Sequence, residues 1–189
     1  MDIEAVRPIP TRKPQILILV GVETILVIFI FWFLKNLEGK SIYGTAALVN
    51  SSLGGMSQAF YQGLTRKYDP ESVLKFHVWG VFLGVWAKFW TDLLNARYQD
   101  AVRKVAFDQL IGNPMCVFAF TSFNAYWEGY NMDLYLQINY KSALKASIAL
   151  WPLAAIVQFT IIRPENVFLY NSIVTFAWNL ILSLLARSS

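Results

Sequence analysis

The run from Ile16 to Leu34 holds one charged residue, Glu23, and is otherwise interrupted only by Gly21 and Thr24. Its length matches the roughly 20 apolar residues that a helix needs to cross the hydrocarbon core of a bilayer. Lys13 and Lys35 flank it and Trp32 stands near one end, where interfacial anchors belong. The run is longer than the apolar part of a signal peptide and no small-residue cleavage site follows, so it is expected to remain as an anchor. Residues 1–15 form a tail with Pro8, Pro10 and Pro14, which forbid the continuous amphipathic helix of a mitochondrial transit peptide. Glu23 lies deep enough that a lone carboxylate would be costly. It is expected to be protonated, paired with a cation on another helix, or turned to a wet cavity.

The rest of the chain does not read as a water-soluble domain. Apolar residues make up 56% and charged residues 15%, whereas soluble domains carry about 25% charged residues. The net charge of +4 comes from basic residues at the ends of apolar runs rather than from one patch, so nucleic acid is not an expected partner. A single cysteine and a single histidine exclude an intramolecular disulfide and a Cys/His metal cluster. No cofactor is expected, although structural lipids fit. Cys116 lies in an apolar stretch and reads as a packed thiol.

From Tyr43 to Leu64 there is no charge, and every fourth residue is small: Ala47, Ser51, Gly55, Ala59 and Gly63. On a helix these share one face and let a neighbouring backbone come close. Asn50, Ser52, Ser57, Gln58 and Gln62 point elsewhere, to an aqueous path or to other helices. Asp69-Pro70-Glu71 is a helix start, and the helix it opens, about Ser72 to Ala96, carries a second small-residue pair, Gly80 and Gly84. Lys88 and Asp92 are four apart and can pair along it. Ala96 to Asn113 reads as an amphipathic helix on the membrane surface, ended by Asn113-Pro114. A shorter apolar segment, Met115 to Trp127, follows.

Asp133 to Ala143 reads as a mixed connector, with Tyr130, Tyr135 and Tyr140 as an interfacial belt. Ala143 to Ile162 is apolar, with a kink expected at Pro152. Val167 to Leu185 is the last span. The fold class is therefore all-α, a polytopic transmembrane bundle of five to six helices with one interfacial amphipathic helix. Residues 16–34 form an added anchor and 43–186 the bundle proper.

Several motifs in the second half occur together. Asp108 and Gln109 precede Pro114, Trp151-Pro152 is followed by Phe159, Pro164 separates the last two helices, and Trp178-Asn179 is followed by Leu182-Ser183. In this order they resemble the family of twenty-two-kilodalton peroxisomal membrane proteins and their mitochondrial relatives named Mpv-seventeen. The resemblance covers about Tyr43 to Ser183. It implies a small multi-helix protein of a peroxisomal, vacuolar or inner mitochondrial membrane, some relatives being regarded as weakly selective pores. Helix-packing positions match while polar ones depart. The family's Gly-Asp reads Gly55-Met56, and its Gly-Pro-x-x-His-x-Trp reads Gly84, Val85, Lys88 and Trp90. The departures suggest a retained scaffold with a weakened polar pathway, and Ile16 to Leu34 precedes the region of resemblance.

Enzymatic activity is not expected. One histidine and one cysteine give no recognisable nucleophile set, Gly54-Gly55 lacks the lysine of a phosphate loop, and spacing gives no reason to join Glu23, Asp92 and Asp108. Two functions remain. The first is an accessory subunit of a larger membrane complex, placed in the mitochondrial inner membrane, with other membrane subunits and lipids as partners. The second is a small-solute pore of an organelle membrane. Its candidate polar residues are Gln58, Gln62, Lys88, Asn124 and Gln158, with Lys88 favouring anions.

Overall fold

The computed structural model describes residues 13–37, 42–163 and 167–185, and every regular element among them is a helix. In chain order these are α1 (Lys13–Leu37), α2 (Ile42–Thr65), α3 (Pro70–Arg97), α4 (Ala101–Phe107), a π-helical turn (Asp108–Gly112), α5 (Asn113–Trp127), α6 (Met132–Thr160) and α7 (Val167–Leu185). Residues 1–12 of the tail and Pro164 lie outside the described residues.

The helix boundaries follow from local chemistry. The Asp69 side chain caps α3 by accepting from the Ser72 amide at 3.1 Å, and Pro70 takes the first helical position, where no N–H is needed. Asp100 does the same for α4 through the Arg103 amide at 2.8 Å, and Asn131 for α6 through the Leu134 amide at 3.0 Å. Between α5 and α6 the chain reverses at Gly129, whose φ of +70° suits a residue without Cβ. The Tyr130 amide then reaches back to the Ala125 carbonyl at 2.9 Å and closes the end of α5.

Three expectations change. The amphipathic stretch does not run as one helix from Ala96 to Asn113, because α3 continues to Arg97 and Tyr98 is extended before Asp100 opens α4. Asn113-Pro114 does not end it either. The chain widens into the π turn, in which the Asn113 amide bonds the Asp108 carbonyl, and Pro114 falls in the first turn of α5, where its missing N–H costs little. Finally, the connector Asp133–Ala143 and the apolar segment after it are one helix, α6. Asn131 and Asp133 start it early, and Pro152 lies inside it without ending it.

α2 packs against α1, α3 and α7, so it is the inner helix of the N-terminal half. Several of its polar residues are satisfied within the helix itself. Asn50 donates to the Ala46 carbonyl at 3.0 Å, Ser52 to that of Val49 at 3.0 Å and Ser57 to that of Gly54 at 2.8 Å. Such back-bonding is how a hydroxyl or amide is carried where water is absent. The α2–α3 seam is a contact of backbones. A Cβ at Gly80 would stand 2.3 Å from the Asn50 carbonyl oxygen, at Gly84 2.2 Å from that of Ala46, and at Gly54 2.4 Å from that of Phe76. Ala59 is fully buried on the same helix. Gly63 differs, since a Cβ there would meet only the Val20 side chain, at 4.0 Å.

α1 leans on α2 and leaves its outer face bare, with Leu17, Ile18, Ile25 and Ile28 all more than 60% exposed. Lys13–Phe33 and Met132–Thr160 are the two described stretches long and apolar enough to cross a membrane by length and composition. A valine at Gly80 has no room against backbone atoms and is expected to cost at least about 2 kcal/mol, whereas Gly63→Ala is expected to change stability by less than about 0.5 kcal/mol. Thermal unfolding of the two variants in mild detergent measures the difference.

Candidate functional site

α3, α5, α6 and α7 surround a cavity of about 90 Å³. That is room for several waters or for the head of a small solute. Trp79, Trp86 and Trp90 enter from α3, while Trp151 of α6 and Trp178 of α7 close the opposite wall. Trp86 and Trp90 stack nearly parallel with centroids 5.7 Å apart, and Trp151 meets Trp178 edge-on at 6.0 Å. Polar groups reach the same space: Asn113 from α5, Gln158 from α6, and Asn171 and Thr175 from α7. Cys116, half-buried, also borders it.

Asp108 is the charged residue among the described lining, and it is held in place. The Trp90 indole donates to one carboxylate oxygen at 2.9 Å and the Gln109 amide to the other at 2.8 Å, while Asn113 donates to Gln109 at 3.2 Å. The π turn makes this possible, because Gly112 faces the indole so closely that a Cβ would lie 2.4 Å from the ring nitrogen. Asp108 precedes the apolar stretch of α5. Burial pushes its carboxyl above the usual carboxylate range, opposed by the hydrogen bonds from Trp90 and Gln109.

A second polar chain crosses α1, α3 and α2. The buried Glu23 carboxylate meets His77 Nε2 at 3.1 Å, and His77 Nδ1 lies 3.2 Å from the Ser51 hydroxyl. Gly55 leaves the space for the ring, since a Cβ there would lie 2.1 Å from Nε2. The structure thus brings a serine, the lone histidine and a glutamate into one hydrogen-bonded row, a constellation that the sequence order did not disclose.

The other sequence-derived candidates go to different places. Gln62 is fully buried but clamps the α2–α3 turn, with its amide nitrogen on the Asp69 carbonyl and its oxygen accepting from the Asp69 amide at 2.9 Å. Gln58 is buried within α2, and Asn124 donates to the Phe120 carbonyl of its own helix at 3.0 Å. Lys88 pairs with Asp92 one turn on, and neither lines the cavity. Of the proposed pore residues, Gln158 is the one at the cavity wall. Ala47 approaches Gly84 at the helix seam, Phe159 lies under the Lys104 ammonium, and Asn179 is fully buried near Gly54. Sequence reasoning passed over Trp79 and Trp86, yet positions 79, 83, 86 and 90 form one helical face. Asn171, Thr175 and Trp178 repeat that spacing on α7.

Helices with bare apolar outer faces around a polar and aromatic interior define a helical membrane protein. The sequence model described as the Mpv17 / PMP22 family matches residues 135–183. That segment includes Trp151, Pro152, Phe159, Trp178 and Asn179. PXMP2/4 family protein 3 of Dictyostelium discoideum is 28% identical over 82% of this chain and 89% of its own length. PXMP2/4 family protein 1 of the same organism is 27% identical over 85% of this chain and 88% of its own. A vacuolar membrane protein of Saccharomyces cerevisiae, YOR292C, is 28% identical over 58% of this chain and 38% of its own length. No solved structure matches the chain. The chain is thus similar to the Mpv17 / PMP22 family, through the family model over residues 135–183 and through relatives 27–28% identical along most of its length, and it is a membrane protein.

Two measurements follow from this geometry. His77→Leu leaves Glu23 buried without its partner and is expected to cost about 1–3 kcal/mol, whereas Lys88→Met, at a partly exposed pair, is expected to cost no more than about 1 kcal/mol; thermal unfolding ranks them. Protonating Asp108 removes the charge that strengthens its bond to Trp90. With the carboxyl raised, tryptophan emission is expected to change, as pH falls, above the ordinary carboxylate midpoint of about 3.9, and the step is expected to vanish in Asp108→Asn.

Proposed function

We propose that this protein is a non-enzymatic, polytopic component of an organelle membrane that binds a small solute in the cavity and lets it pass. In this reading α1, α2, α3, α5, α6 and α7 span the bilayer and α4 lies at its surface. One observation carries the reading. Four residues of the family motifs, Trp90, Asp108, Trp151 and Trp178, come from four separate parts of the chain and meet at one cavity. Packing alone calls for apolar side chains there, and it does not call for Asn113, Gln158, Asn171 and Thr175 on the same walls.

The row Ser51–His77–Glu23 supports a structural role rather than acyl transfer. Ser51 is in the middle of α2, where the neighbouring backbone amides are spent on helix hydrogen bonds and none is left to stabilise an oxyanion.

A second reading, an accessory subunit of a larger complex in the mitochondrial inner membrane, draws on α1. That helix packs along α2 and leaves most of its apolar surface uncovered, which suits a neighbouring subunit as well as lipid. Co-migration with one large complex at fixed stoichiometry in mild detergent supports this second reading, and a free small oligomer supports the first.

The pathway itself is tested in liposomes. Protein reconstituted alone is expected to release a trapped small polyol such as sorbitol. Ala155→Phe, which fills the cavity from its wall, is expected to cut the rate at least about tenfold, and the exposed Leu153→Phe to leave it unchanged. No release by the wild-type protein, or equal release by the three proteins, would contradict the proposal.

A further inference from the structure

The charge and the walls of the cavity say more about what it takes. Five of the seven tryptophans in the chain line it: Trp79, Trp86, Trp90, Trp151 and Trp178. Asp108 is the charged residue among the described lining, and no lysine, arginine or histidine among the described residues forms an ion pair with it. Its two oxygens accept from Trp90 and Gln109, and each keeps a further lone pair. Lys88, the cation that the sequence offered as a selector of anions, is neutralised by Asp92 and stands off the cavity.

We propose that this cavity is a site for a small organic cation, a methylated or primary ammonium, with Asp108 as the counter-charge and the tryptophan faces as the cage. The inference rests on the small-solute reading of the same cavity and gives it a substrate class. Aromatic faces carry the negative part of the ring quadrupole toward the cavity and attract an ammonium, and they do so best where water is scarce. A carboxylate held by two donors is pre-set for a positive partner and repels an anion. Amide oxygens of Asn113, Gln158 and Asn171 can accept from the N–H groups of a primary amine, or face the polarised methyl groups of a quaternary one.

Choline and its uncharged isostere 3,3-dimethylbutan-1-ol have nearly the same shape and differ in charge. Their binding to the purified full-length protein in detergent is read from tryptophan emission and by calorimetry. Choline is expected to bind saturably and at least about tenfold more tightly than the isostere, and Asp108→Asn is expected to erase most of that preference. Trp86→Leu keeps an apolar wall but loses a ring face, so it is expected to weaken choline several-fold and the isostere less; this variant decides the matter if Asp108→Asn does not fold. Equal affinity for choline and the isostere, or no saturable choline binding, overturns the proposal. The same preparations in liposomes separate it from the pathway reading. Choline binding without passage of choline or sorbitol keeps the cation site and removes the pathway, while sorbitol passage without choline binding removes the cation site alone.

Discussion

The arrangement depends on how closely two helix backbones approach. Gly54, Gly80 and Gly84 bring α2 and α3 together until carbonyl oxygens occupy the places where Cβ atoms would stand. In lipid there is no hydrophobic force to press helices together, because the surrounding chains are as apolar as the side chains they would replace. Close backbone contact supplies dispersion that lipid cannot match. The seam fixes the rotation of α3, and that rotation turns Trp79, Trp86 and Trp90 away from α2 toward α5, α6 and α7. His77, on another side of α3, then meets Ser51 and Glu23.

The cavity is the counterpart of the seam. Where α2 and α3 touch by backbone, α3 and α5 are held apart by rings: Trp79 packs edge-on against Phe120 at 5.0 Å and tilts on Phe123 at 5.6 Å. Large side chains at a separation set by rings leave space between them further along. The π turn at Asp108–Gly112 directs a carboxylate into that space and clears the backbone from the Trp90 indole. Such one-turn insertions recur at functional positions because they re-aim a side chain without breaking the helix. Lys75 and Glu128, 2.5 Å apart, tie the beginning of α3 to the end of α5 and so fix the width of the gap at that end.

Much of the fold was legible in the sequence, for a physical reason. Apolar runs of membrane length report the presence of helices directly, and α2 and α7 fall within one residue of the expected segments because charge or turn chemistry bounds them. Boundaries failed where a polar stretch was helical through capping, as at Asn131 before α6, and where proline fell at a helix start rather than an end, as at Pro114. The site was harder to read. Asp108, Trp151 and Trp178 stood out through a family resemblance, but which of them share a space depends on the rotation of helices that are far apart in sequence. Polar residues in an apolar segment also have two uses that composition cannot separate. Gln62 clamps a turn and Asn124 bonds its own helix, whereas Gln158 reaches the cavity. The Glu23–His77 contact joins residues 54 apart, and no local pattern announces it.

The central claim is that a tryptophan-lined space with the Asp108 carboxylate at its wall selects what enters this membrane protein. The reversal potential of bilayers holding the purified protein under a choline chloride gradient tests it most directly. A potential displaced toward the choline equilibrium value is the result expected from Asp108 standing unpaired by any cation among the described residues. A potential displaced toward chloride, or a bilayer with no conductance at all, would contradict the account.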